Sequence, residues 1–160
     1  MSASLTLRFT RLSSTHHRFE YRRADGSGEA VEAETDAVLT HDLLHYAVES
    51  EAALKGSFYG ILAKIGGYEE LSVAGGAALG GEIAITDMVV GALRDSLEED
   101  IAGSVGLVAR VTGDLALFDH RPPRWLTPAF VMAARTRALE LMGRWTATPF
   151  GDALELTFEA

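Results

Sequence analysis

There is no cysteine in this 160-residue chain. Its absence removes disulfide frameworks, thiolate zinc sites, iron–sulfur clusters and cysteine nucleophiles from consideration. Lysine is nearly absent too, with Lys55 and Lys64 as the only two against twelve arginines, a bias that points to a GC-rich genome more than to any chemistry. No stretch approaches the ~18 continuous apolar residues of a membrane span. The segment from Met1 to Leu12 lacks the apolar run of a secretory signal, because Arg8 and Arg11 interrupt it, so the expectation is a soluble, cytoplasmic protein without membrane contact. A concentrated basic surface is also missing. Residues 35–100 carry twelve acids against three bases (Lys55, Lys64 and Arg94), whereas the flanking segments are each neutral, so the net charge of −9 arises in the middle. Phosphate binding relies on basic side chains that displace condensed counterions, so nucleic acid is not an expected partner.

What is present reads as strands at both ends and helices between them. Leu5, Leu7 and Phe9 alternate with Thr6, Arg8 and Thr10, and Phe19 and Tyr21 alternate likewise within 17–23. Asp25-Gly26 signals a turn, after which Val31 and Ala33 continue the period of two. At the other end, Trp145 to Thr148 and Leu154 to Phe158 read as strands around Pro149-Phe150-Gly151-Asp152. A helix is predicted from Thr35 or Asp36, either of which offers a capping oxygen, to about Leu54. A second covers 58–64, and the glycine-rich segment 75–81 reads as a linker without the residues of a phosphate loop. Ile85, Met88, Val89, Ala92, Leu93 and Leu97 trace a helical stripe. Residues 101–118 read as helix, with a hairpin around Thr112-Gly113-Asp114 as the alternative. Thr127-Pro128 caps a last helix whose face is Phe130, Ala134, Ala138, Leu141 and Met142. The fold class is thus α+β in one domain over 1–160. An antiparallel sheet from the N- and C-terminal strands is expected to be packed on one face by four or five central helices.

The chemistry-bearing segment is His41-Asp42-Leu43-Leu44-His45. His41 and His45 are four apart on the first helix, about 40° from each other in projection, the spacing that lets two imidazoles share an ion. Glu49 stands one turn on and Asp42 projects close to it, so the candidate metal ligands are His41, His45, Glu49 and Asp42. Two imidazoles with a carboxylate suit Zn, Mn, Fe or Ni as a possible divalent cofactor. Zinc metalloproteases carry Glu at the second position of such a motif, where this chain has the shorter Asp42. The alternative is that Leu39, Leu43, Leu44, Tyr46, Ala47 and Val48 form the core face and the His/Glu arc is the solvated side. Val38, Ala52 and Ala53 lie in that arc as well, which leaves room for a pocket or an interface. His16 and His17 read as surface histidines at a strand start, and His120 is available as a third ligand from a loop.

The segment 40–49, followed by Ser57-Phe58-Tyr59-Gly60 and by 145–151, resembles a family of conserved bacterial proteins of unknown function. The resemblance covers most of the chain and implies no activity. His41-Asp42-Leu43-Leu44-His45 is also similar to the H-D-x-x-H motif of ubiquinone-biosynthesis proteins. That motif implies a glutamate twelve residues beyond its second histidine, where this chain has Ser57, so the third ligand does not carry over. Three readings of function follow. The leading one is a non-enzymatic binding or assembly module, expected to be a homodimer or other homo-oligomer. The second is a metal-dependent enzyme of hydrolase type using the two histidines, and the third is a small-molecule binder with an apolar pocket between sheet and helices.

Overall fold

Period-two alternation at both ends becomes one four-stranded antiparallel sheet in the computed structural model, which describes residues 3–68, 71, 81–99 and 103–160. The strands are β1 (Ser4–Arg11), β2 (His16–Arg23), β3 (Gly28–Glu34) and β4 (Ala153–Glu159), in the order β3-β2-β1-β4. The register sets Phe9 opposite Phe19 on β2 and opposite Leu154 on β4. Because side chains alternate between faces, this register gathers Leu5, Leu7, Phe9, Phe19, Tyr21, Leu154, Leu156 and Phe158 on one buried face. A slip of one residue would turn a whole strand's apolar set to water, so the core itself fixes the pairing. The turn between β2 and β3 falls at Asp25-Gly26. Gly26 has φ +88°, and the Asp25 carboxylate accepts the Ser27 N–H at 2.9 Å.

Among the described residues, five helices lie between β3 and β4: α1 (Thr35–Glu51), α2 (Phe58–Leu62), α3 (Gly81–Glu99), α4 (Ser104–Leu117) and α5 (Pro128–Thr146). Helix α1 is shared by two cores. Leu39, Leu43 and Tyr46 join the sheet, Tyr59 and Trp145, while Leu44, Ala47 and Val48 join Val89, Leu93, Val111 and Ala134 of the other helices. Each such leucine, once buried, contributes about 1.5–3 kcal/mol. Flanked on both sides, α1 is buried continuously from Asp42 to Val48 and on to Glu49, which is why its polar arc is not simply a solvated face.

Several boundaries depart from expectation. Trp145 to Thr148 is not a strand. Ala134, Ala138, Leu141 and Trp145 continue one buried helical stripe, so α5 runs to Thr146 and then turns. Neither Thr35 nor Asp36 caps α1. Glu34 is the N-cap without a side-chain bond, and the Thr35 hydroxyl lies 3.0 Å from His17 Nδ1 instead. α1 stops at Glu51, where Ala53 takes φ +52°, and α2 stops at Leu62. Residues 104–117 are helical, with Gly103 as N-cap, so the hairpin alternative does not form. Thr127 does cap α5, its Oγ1 accepting the Phe130 N–H at 3.1 Å ahead of Pro128 in the first turn. The linker expected over 75–81 lies outside the described residues except for Gly81, the first residue of α3. Among the described residues no helix is long and apolar enough to cross a membrane.

Candidate metal centre

α1 brings the His41 and His45 rings to 4.6 Å between centroids, as spacing along one helix requires. Their surroundings differ sharply. His45 is sealed where α1 meets α3, with 2% of its side chain exposed, whereas His41 is 45% exposed at the rim. Both nitrogens of His45 are engaged. Nδ1 lies 2.9 Å from Glu49 Oε2, and Nε2 lies 2.9 Å from Oδ1 of Asp87, which reaches across from α3. The Glu49 carboxylate is fully buried, and its other oxygen accepts the Tyr59 N–H at 2.9 Å, fixing it against the start of α2. Phe58 packs its ring 5.9 Å from that of His45 and closes the inner side.

Electrostatics follow from this enclosure. Burial alone would depress the His45 pKa, but hydrogen bonds and charge from Asp87 and Glu49 outweigh it and raise the value to about 9. Burial pushes the Glu49 carboxyl up, opposed by the His45 ring. At neutral pH without metal, the His45 ring is therefore held protonated between the Glu49 and Asp87 side chains. Burial also drives the Tyr59 hydroxyl well above its ordinary range, so it stays a proton donor, to the Asp42 carbonyl at 2.9 Å.

His41, His45 and Asp87 each offer a ligand atom, and the three atoms lie within 4.8 Å of one another. An ion ~2.0–2.2 Å from each donor needs donor separations of roughly 3.3–3.6 Å. The 2.9 Å His45–Asp87 pair is shorter than that, so binding requires the partly exposed Asp87 carboxylate to open from His45 while the half-exposed His41 adjusts beside it. Of the residues expected from sequence, His41 and His45 meet at this centre. Glu49 stands behind it on the far nitrogen of His45. Asp42 points elsewhere: its Oδ2 accepts the Tyr68 hydroxyl at 2.8 Å, with Oδ1 3.6 Å from His41 Nδ1. Asp87 was not legible from α1, being forty-two residues beyond His45 on another helix. Its one trace in the sequence is that it breaks the apolar run 83–90.

The other histidines sort differently. His120 lies in the loop after α4 beside Gly81 and does not join the cluster. His16 is exposed as expected, but His17 is completely buried, because the inner sheet face at that point is covered by the start of α1 and by Trp145. Ser57 is buried with its hydroxyl 2.7 Å from Thr86 Oγ1, and Thr86 in turn donates to the Glu82 carbonyl at 2.8 Å. Ser57 therefore ties the loop after α1 to α3. Comparison with known protein families, with curated proteins and with solved structures gives no match for this chain.

Proposed function

We propose that this chain is a divalent-metal-binding domain with His41, His45 and Asp87 as protein ligands. The observation that carries this reading is the fixing of His45: a carboxylate holds Nδ1 from the buried side, and Nε2 is aimed at Asp87 on the open side. A carboxylate on the remote nitrogen is the usual partner of a metal-bound histidine, because it sets the tautomer and the ring orientation. Two imidazoles and one carboxylate suit Zn, Mn, Fe(II) or Ni. Two of the three ligands are half exposed, so the remaining coordination positions face solvent. A bound water or an exogenous oxygen ligand would complete the sphere, as at zinc sites that act on substrates. The hydrolase reading is the enzymatic form of this proposal, and the non-enzymatic binding module is the form in which the open positions hold a ligand without turnover.

The test is metal titration of untagged, chelator-treated protein. Wild type is expected to take up one equivalent of Zn, Mn, Fe or Ni at micromolar concentration. His41→Ala and Asp87→Asn, both at half-exposed positions, should weaken binding by more than the about ten- to a hundred-fold that losing an outer-shell partner costs, while leaving the fold intact. No uptake of any of the four metals would make Glu49–His45–Asp87 an ion-pair latch between α1 and α3 and end the metal reading.

A further inference from the structure

β2 carries a second buried histidine that the metal centre does not use. His17 is fully buried, its Nδ1 lies 3.0 Å from Thr35 Oγ1, and its Nε2 has no hydrogen-bond partner among the described residues. Trp145 packs against the ring in a T-shaped arrangement at 5.8 Å between centroids, and Phe9 lies 6.2 Å away. A buried polar atom without a partner is uncommon, and here it belongs to a side chain that can take up a proton.

The charged groups around His17 come from each neighbouring element. On β1 its cross-strand partner is Arg11, whose guanidinium sits 5.7 Å over the Trp145 ring and 4.9 Å over Phe150. Arg11 also bonds the carbonyls of Thr146 and Thr148. On β3 the partner is uncharged Ala33, and strand alternation sends Glu32 and Glu34 to the other face. From α1, Asp42 favours the protonated ring, and on β2 itself His16 opposes it. α5 contributes Trp145, with Arg144 exposed beside it. Burial outweighs these contributions and holds His17 below the ordinary histidine range.

A protonated His17 has two N–H groups. The Nδ1 proton can go to the Thr35 hydroxyl, but the Nε2 proton has no acceptor and must find water. The α1 side cannot yield easily, since Thr35 directly follows β3 and its N–H bonds the Thr15 carbonyl at 2.9 Å. The α5 side can. Trp145 stands in the last turn of its helix, and the turn that follows is largely exposed.

We propose that His17 is an acid-triggered release for the Trp145 ring: protonation of the imidazole unseats the indole from the sheet while Arg11 keeps the following turn on β1 and the helices stay docked. The device is built on Thr35, Phe9 and Trp145, none of which is a proposed metal ligand.

Trp145 is its own reporter, because the chain has only two tryptophans and Trp125→Phe leaves one. In that background, Trp145 emission is expected to shift to the red as pH falls, with a midpoint below ~6.5, the ordinary histidine value. Far-UV circular dichroism should hold constant over the same interval. His17→Phe and His17→Gln, which cannot charge, should each abolish the shift. The His17 ring resonance of the wild-type chain should titrate with the same midpoint, which gives a readout that needs no variant to fold. A shift that survives in the His17 variants would overturn the proposal. So would a His17 titration at or above the ordinary value, or helical signal lost at the same midpoint.

Discussion

Nε2 of His45 shares its proton with Asp87 across 2.9 Å, so an ion arriving at that nitrogen must first displace a proton whose pKa is about 9. Metal affinity is therefore expected to rise about tenfold per pH unit from neutrality towards 9, with about one proton released per ion bound. Calorimetry in buffers of different ionisation enthalpy measures that release, and a pH-independent affinity would show that Nε2 is not the ligand. Without metal the sign is also determined. The folded-state pKa is raised above the unfolded one, so the His45 contribution to stability is complete below ~6.5 and is lost as pH rises through about 9. Urea midpoints of the metal-free protein should fall over that window, and Asp87→Asn should move the fall to lower pH. His45→Ala leaves Glu49 buried without its partner, a change expected to cost roughly 3–5 kcal/mol. At this scale the sequence was half legible. Spacing along one helix reveals His41 and His45, but a ligand supplied by another helix leaves no periodic trace.

Elements were legible where one physical pattern dominated. β1, β2 and β4 alternate cleanly because a single face is buried, and the apolar stripe of α3 repeats at helical spacing for the same reason. α1 was harder to read because it serves two cores, which spreads apolar residues around most of its circumference. Trp145 was misread because an aromatic residue beside threonines favours a strand locally, and only packing against the sheet and α1 keeps it helical. Two substitutions test these assignments by chemical denaturation. Thr127→Ala removes the hydroxyl that accepts the Phe130 N–H and should cost about 1 kcal/mol. Gly60→Ala should cost more, because a Cβ there would collide with the Lys55 carbonyl oxygen, which is backbone and cannot rotate away. If Gly60→Ala proves neutral, the close approach of α2 to the loop before it is wrong.

Across the whole molecule, charge and topology set behaviour. The arginines of the outer sheet face stand among carboxylates, with Arg8 3.8 Å from Glu155 and Arg22 one strand from it, and Glu20 lying between. No basic stripe forms there, and the segment 35–100 keeps its excess of acids. DNA or RNA binding is expected to be undetectable by fluorescence anisotropy at about physiological ionic strength (~0.15 M). Micromolar affinity that weakens with added salt would contradict this. β1 finds its second neighbour only in β4, so Leu7 must wait for Leu156. A ribosome adding about 5–20 residues per second takes roughly 7–30 s to make the ~150 residues between them. Throughout that interval the β4-facing edge of β1 stays unpaired even after α1 and α2 cover its apolar face, and the nascent chain presents that open edge to whatever chaperone meets it.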